Sequence, residues 1–476
     1  MTQVGILTVG QPAEIPMGPN SKMTSRMVQL GVLLLVLVGL APMVRADVTI
    51  LLEEPYSYDG ALAGTGHAAV YLNRVCAASP TVLRRCGLGE RGVVISRYTR
   101  IGGYDWIAIP LIPYLYAVDN PEDVPLYANS KLAAFLRDQY RRSYLEDIAP
   151  DTPSGEMPKG DWIQLIGSLY DRTSYGFQVE TTAEQDDALI EWLNSRPNKV
   201  SYKVVSRNCA DFVRDVVNFY YPKAVSHGFI TDLEVTTPKH AAKSLVRYSN
   251  RHRDIEFSRI VFPQVPGTMK RSRPVRGVLE SVFRAKKYMV PLAMIHPIVA
   301  GGVATVYVLG DRFNPAQNGL VFNMYGAPDV PATNDERKTY LKNLEAAMAA
   351  RGEKAADHDP DHDIDSWRQF QENAEFHLDQ SGRTMLLARG GEQEFEMGIT
   401  RNDLASKDVP GELQRGLLEA RLRQQLKTRR APKISSNELR EDWRLLQEIN
   451  LAEQHEQQEV LKGTEHLNQN PEGKSD

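Results

Sequence analysis

The sequence predicts an α+β protein, in which a unit of strands and helices precedes a polar, helical C-terminal region. Short segments rich in β-branched residues in the first half predict strands. Capped amphipathic segments between them predict helices, and the last third is dominated by strong helix formers. At 476 residues the chain is too long for one ordinary core, so we expect two or three folding units.

The composition is that of a globular protein, with 42% hydrophobic and 24% charged residues and a formal net charge of −4. A charge this close to zero offers no basic surplus for phosphate backbones. We therefore expect no nucleic-acid partner.

Residues 1–46 predict a signal peptide. Lys22 and Arg26 precede an uncharged apolar run at 27–44, and small residues precede Asp47. A basic start, an apolar centre and a cleavage site with small residues are typical of secretory signals. The alternative, an uncleaved anchor helix, also places the following residues outside the cytoplasm. We expect a periplasmic or other extracytoplasmic location, with inner-membrane association left open.

Residues 47–260 predict the first folding unit. Its strands are expected at 48–52, 67–72, 93–98 and 202–205, and its first helices at 130–144 and 182–194. Thr182 with Gln185 is a typical capping-box pair at the start of the second helix.

A further helix is predicted to begin at Cys209. Asn208 is a preferred N-cap residue, and Asp211 lies at the third helical position, where a capping-box partner reaches back. The apolar residues that follow recur at helical spacing until Pro222. A cysteine in the first turn of a helix has a lowered pKa, and the N–H groups there can hold an oxyanion. The alternative is that Cys209 is a buried, inert core residue.

His67 is the candidate base for this thiol. It opens a predicted strand directly after Gly66, and alternation places His67, Ala69 and Tyr71 on one face of that strand. A histidine at the first residue of a strand can reach the start of a helix packed beside it, as a Cys–His pair requires. A purely structural histidine is the alternative.

The other two cysteines, Cys76 and Cys86, lie close together in sequence and predict a disulfide in an oxidising compartment. This pairing leaves Cys209 as the odd thiol, and an unpaired thiol in an exported protein is a candidate reactive group. The alternative is three buried free thiols.

Together these residues resemble the permuted branch of the NlpC-like, papain-fold superfamily. Gly66-His67-Ala-Ala-Val-Tyr71 is similar to the histidine strand of lecithin:retinol acyltransferase-like proteins, and Asn208-Cys209-Ala-Asp-Phe212 is similar to their cysteine helix. The histidine strand precedes the cysteine helix, as in the permuted branch. The nearest likeness is to the Lnb N-terminal periplasmic domain family, through Tyr175-Gly-Phe177, Glu184-Gln185, Tyr202 and Asn208-Cys209. The resemblance covers roughly residues 48–245.

The resemblance implies a circularly permuted papain-like domain, with an antiparallel sheet packed on the nucleophile helix. It implies Cys209 as nucleophile, His67 as general base, and support from Asn208 and Asp211 for the helix cap and oxyanion. Relatives carry a third, orienting group on the next strand, where Ser96 and Tyr98 are the candidates although neither is the usual His, Asn or Gln. A peptide or acyl substrate of the cell envelope is implied, with no cofactor or metal.

Residues 261–327 predict a linker whose uncharged stretch at 288–310 is long enough to cross a bilayer. His296-Pro297 and the basic residues before the stretch argue against a simple span, so a buried hairpin and an interfacial segment remain alternatives. Membrane contact through 288–310 is therefore an open expectation.

Residues 328–476 predict a polar helical region with a disordered tail, with helices at 336–351, 411–427 and 438–462. Leu439, Trp443 and Leu446 form a stripe suited to a protein partner. The acidic and histidine-rich residues 357–363 are expected to form a solvated loop rather than a metal site.

Three functions remain open at this point. The first is an exported thiol hydrolase that cleaves an amide. The second is an acyltransferase or esterase acting on lipids or lipoproteins with the same Cys–His chemistry. The third is a non-catalytic envelope binding or assembly module.

Overall fold

A computed structural model describes most of the chain, and all structural statements refer to these residues. The described ranges are 46–56, 65–98, 101–199, 202–203, 205–227, 235–284, 286–310, 312–324, 328–352, 373–390, 393–404, 409, 411–427 and 434–468. The predicted signal peptide, except for its last residue, and the acidic stretch 357–363 lie outside them.

The described residues form a mixed α+β structure, as the sequence predicts. Its strands are β1 Ala46–Glu53, β2 His67–Leu72, β3 Val75–Ser79, β4 Val82–Arg85, β5 Val93–Ser96, β6 Ile107–Pro110, β7 Ser174–Thr181, β8 Phe257–Phe262, β9 Leu320–Val321, β10 Glu375–Leu378, β11 Thr384–Gly390 and β12 Gln393–Gly398. Its α-helices are α1 Leu111–Tyr116, α2 Ser130–Tyr144, α3 Ser168–Asp171, α4 Ala183–Asn194, α5 Cys209–Tyr220, α6 Pro238–Arg251, α7 Val278–Arg284, α8 Lys286–Ile295, α9 Pro297–Gly310, α10 Asn334–Gly352, α11 Arg401–Leu404, α12 Gly411–Leu426 and α13 Ser436–Asn468.

Seven strands form the central sheet in the order β6-β5-β2-β1-β7-β8-β9. Neighbours are antiparallel except β8 and β9, which are parallel. The expected boundary at residue 260 falls inside β8, and β9 comes from the predicted linker. The sheet therefore joins chain segments that the sequence assigns to separate parts.

The two faces of this sheet carry different helices. Ala68, Val70 and Leu72 of β2 pack in one core with α4, α5 and α6. Ala69 packs in the other core, with α1, α2 and α3. This division follows from strand alternation, which sends neighbouring side chains to opposite faces, and it decides where the candidate site residues point.

Local signals predicted several boundaries correctly. The strand 67–72 and the helix 130–144 are confirmed to the residue, and the capping box of α4 is present between Thr182 and Gln185. The strand predicted at 202–205 is wrong. Among its described residues, Lys203 makes only an isolated bridge, to Arg207, and Val205 lies in a turn before α5, so none of them joins the sheet.

The C-terminal region is not purely helical, which corrects the sequence prediction. Strands β10, β11 and β12 form a separate antiparallel sheet between α10 and α12. The stripe on α13 packs inside this chain, because Leu439 and Leu446 are fully buried with residues of α10 and α12. Trp443 is partly buried and lies against Tyr340 of α10. The stripe thus has a partner within the chain.

The apolar stretch 288–310 is divided into α8 and α9, with a break at His296. Among the described residues, no helix combines the length and apolarity needed to cross a membrane. The two helices pack on each other as a hairpin. The buried hairpin among the alternatives of the sequence analysis is therefore not what forms, because Met294, Ile295 and Ile298 of this hairpin are exposed.

The predicted disulfide between Cys76 and Cys86 is confirmed. It ties β3 to the residue that follows β4, and it leaves Cys209 as the free cysteine. A disulfide is compatible with an extracytoplasmic location.

Candidate active site

Cys209 is the first residue of α5, as predicted. The Asn208 side chain accepts a hydrogen bond from the Asp211 N–H at 2.9 Å, and the Asp211 carboxylate accepts one from the Asn208 N–H at 3.1 Å. The Asn208 amide also donates to the Thr236 carbonyl at 3.0 Å. These bonds satisfy the otherwise unpaired groups at the helix start and fix the position of Cys209.

The thiol of Cys209 is buried, with the residue only 6% exposed. Burial raises the pKa of the thiol to about 11, although the N–H groups of Ala68, Ala210 and Cys209 itself approach the sulfur and lower it. The Tyr202 hydroxyl also contacts the thiol. The resting group is therefore a neutral thiol surrounded by hydrogen-bond donors, not the thiolate expected from a helix start alone.

His67 is buried beside both predicted orienting residues. Its Nε2 lies 2.9 Å from the Ser96 hydroxyl, and its ring stacks on Tyr98 with centroids 4.9 Å apart. The Ser96 hydroxyl donates to the Ala68 carbonyl at 2.7 Å. Because that donation uses the only hydroxyl proton, Ser96 accepts from Nε2–H, and Nδ1 is assigned as the basic nitrogen.

The thiol and the imidazole lie near the start of β2, and Tyr98 is a neighbour of both, since it stacks on His67 and is affected by the charge of Cys209. Ala68 shares its core with Cys209, whereas its neighbour His67 faces Ser96 and Tyr98. The sulfur reaches the β2 main chain at the Ala68 N–H, one residue from His67. No hydrogen bond between the sulfur and the imidazole is recorded among the described residues. The hydrogen bond that we expected between them is therefore not formed, because the ring is turned towards Ser96 and Tyr98.

Arg97 points to the face of the sheet opposite to that of Ser96. It follows Ser96 in sequence but contacts α5, donating to the Asn208 carbonyl at 3.5 Å and lying 5.3 Å from the centre of the Phe212 ring. Asp105 holds its guanidinium through bonds of 2.6 and 2.9 Å. Arg97 therefore fastens the end of β5 to the start of the cysteine helix.

A buried ion pair beside His67 was missed by the sequence analysis. Glu53, which pairs with His67 across β1 and β2, lies 3.1 Å from Arg172 and accepts a 2.9 Å hydrogen bond from Tyr114. Arg172 also lies over the Tyr56 ring at 4.8 Å. The one signal in the sequence was Glu53-Glu54 at the end of an apolar strand, since buried carboxylates need partners.

The electrostatic environment keeps His67 neutral. Burial, followed by the positive charge of Arg172, holds the pKa of the imidazole well below its usual value of 6.5. A neutral imidazole near a neutral thiol is the starting state for general-base transfer of the thiol proton.

This depressed pKa predicts acid sensitivity. The unfolded chain binds a proton on His67 below about pH 6.5 while the folded chain does not, so stability is fully present above that pH and is lost as the pH falls towards the folded-state pKa. The slope approaches about 1.4 kcal/mol per pH unit. Urea unfolding between pH 7 and 5.5 should show this loss in wild type and a smaller loss in His67→Gln. Equal losses in both proteins would exclude His67 as the cause.

Comparisons with models of protein families, with curated proteins and with solved structures gave no match.

Proposed function

We propose that the protein is an extracytoplasmic thiol hydrolase or acyltransferase of circularly permuted papain-like architecture. Cys209 is its nucleophile and His67 its general base. One observation carries the proposal: the Cys209 sulfur lies at a helix start, where three backbone N–H groups approach it, one of them from Ala68, the neighbour of His67 in β2. Ser96 orients Nε2 of His67. Donors grouped in this way stabilise an oxyanion as well as a sulfur.

The reaction would proceed in two steps. His67 Nδ1 takes the thiol proton as Cys209 Sγ forms a bond to the carbonyl carbon of an amide or ester, and the oxyanion is held by the backbone N–H groups. Collapse of this tetrahedral intermediate breaks the bond to the amine or alcohol, which leaves with the proton from His67. Water, or an acceptor amine, then takes the acyl group from the thioester. The first transfer requires the ring to turn so that Nδ1 meets the sulfur.

Labelling with an acyl thioester probe tests this proposal. We expect folded wild type to become covalently acylated on sulfur and Cys209→Ala to remain unlabelled. A variant with both Cys76 and Cys86 changed to Ser is the control, and it should label like wild type if it stays folded. If folded wild type is not acylated, the non-catalytic module is the correct alternative.

A lipid or lipoprotein substrate is a second candidate, favoured by the α8–α9 hairpin. All residues from 293 to 299, at its tip, are exposed, including Met294 at 80% and Ile298 at 90%. No charged residue occurs between Tyr288 and Gly310. An apolar surface that surrounds a helical tip fits the interior of a lipid leaflet better than a one-sided protein groove.

Vesicle flotation tests the membrane contact on which this second candidate depends. We expect wild type to float with vesicles of phosphatidylethanolamine and phosphatidylglycerol, and Met294→Glu with Ile298→Glu to remain at the bottom. The matched control is Leu88→Glu, which changes a fully exposed leucine far away in sequence. No flotation of wild type, or equal flotation of the double variant, would rule out the hairpin as the contact.

A further inference from the structure

A cavity of about 450 Å³ lies between the central sheet region and the C-terminal helices. Its walls come from the segments around residues 116–126, 263–273 and 322–324, and from α11, α12 and α13. Its volume is within the usual range for small-molecule sites. None of the candidate catalytic residues lines it.

Much of the wall is apolar. The apolar lining residues are Tyr116, Val124, Pro125, Leu126, Pro263, Val265, Pro266, Phe322, Met324 and Ile434. Such a lining favours a ligand with a hydrocarbon or aromatic body, because burying that body removes apolar surface from water.

Two of the four arginines in the wall are neutralised within the protein. Arg421 binds Asp442 at 2.7 Å and also pairs with Glu438. Arg401 binds Asp442 at 2.6 Å and Glu441 at 3.3 Å. The acidic residues on this side of the cavity are thus already paired with arginines of the protein.

The other two arginines have no recorded carboxylate partner among the described residues. Arg271 donates through Nη1 to the carbonyls of Gln264 and Val265, at 3.2 and 3.5 Å, and Arg273 lines the same cavity. Both residues are exposed to solvent.

The segment that carries these two arginines is fixed in place. The Ser272 hydroxyl between them donates to Glu54 at 2.5 Å and accepts from the Thr173 N–H at 3.1 Å. The Arg273 N–H donates to the Pro55 carbonyl at 2.9 Å. A segment held in this way presents its charges with little ordering cost on binding.

We propose that this cavity binds a small amphiphilic anion, with its carboxylate or phosphate at Arg271 and Arg273 and its apolar body against the hydrophobic wall. Guanidinium groups bind both kinds of anion through paired charge-assisted hydrogen bonds. The site is separate from Cys209, so the proposal does not depend on the proposed catalytic function.

Calorimetry with the full chain tests the proposal, using decanoate and decyl phosphate as anions and decanol as the neutral analogue. Each probe is kept below its micelle concentration. We expect both anions to bind better than decanol, and the tighter anion identifies the head group. Affinity should fall as salt is raised, a readout that requires no variant.

Arg271→Met and Arg273→Met should each weaken anion binding by about tenfold, the loss of one charge-assisted hydrogen bond. Arg253→Met, at an exposed arginine outside the cavity, is the control and should bind like wild type, as should Cys209→Ala. Equal affinity for decanol and the anions, no binding at all, or unchanged affinity in folded Arg271→Met and Arg273→Met would overturn the proposal.

Discussion

Replacing His67 with Asn should slow acylation of Cys209 by about 10²–10⁴-fold, the usual contribution of a positioned general base. The buried thiol has a raised pKa of about 11, so almost none of it is thiolate at pH 7. Proton removal must therefore accompany attack, and Nδ1 of His67 is the basic nitrogen that the hydrogen bond with Ser96 leaves available. The measurement is the single-turnover rate of acylation with a thioester substrate.

The pH profile separates catalysis from a structural effect. In wild type the rate should fall when His67 becomes protonated, whereas His67→Asn should lack this acid limb. Ser96→Ala is the matched variant: it keeps the base and removes its orienting hydroxyl, so we expect a smaller loss of about tenfold. A rate in His67→Asn within twofold of wild type, in a protein that still unfolds cooperatively, would contradict a catalytic role for the imidazole.

Breaking the buried ion pair should produce the largest change in stability. Arg172→Met leaves the Glu53 carboxylate uncompensated in a fully buried position, and removing one member of such a pair costs about 3–5 kcal/mol. Glu53→Gln should cost a similar amount because it leaves the guanidinium without its counter-charge. The measurement is the free energy of unfolding in urea for each variant.

The double variant shows whether the loss comes from pairing. Glu53→Gln with Arg172→Met removes both charges, so it should be more stable than the sum of the two single losses predicts. Strict additivity would mean that the two charges do not stabilise each other. Since Arg172 also lowers the pKa of His67, Arg172→Met should raise that pKa in whichever protein remains folded.

The sequence was most informative where structure depends on local contacts. The capping box of Asn208 and Asp211 predicted the start of α5 because both partners lie within one helical turn. Alternation within β2 was also read correctly. The sequence does not indicate which face of the central sheet α5 covers, because that depends on the packing of segments more than a hundred residues apart.

The same limit explains the other failures. Glu53 and Arg172 meet across 119 positions, and no local pattern marks them as partners. Strand β10 is only four residues long, and β11 contains the uninterrupted apolar run 385–388, so neither shows a clear period-two pattern and the helix-forming neighbours dominate the window. Tertiary pairing determines their structure instead.

Peptide mass mapping tests whether the sulfur atom of Cys209 is the nucleophile. Folded protein is treated briefly with an acyl thioester at pH 7, quenched and digested with trypsin, which releases residues 208–214 as one peptide containing Cys209. We expect acyl mass on that peptide in folded wild type and much less in His67→Asn. Acylation of the peptide only after unfolding in urea, at equal rates in both proteins, would show that Cys209 is an ordinary buried thiol and not a nucleophile.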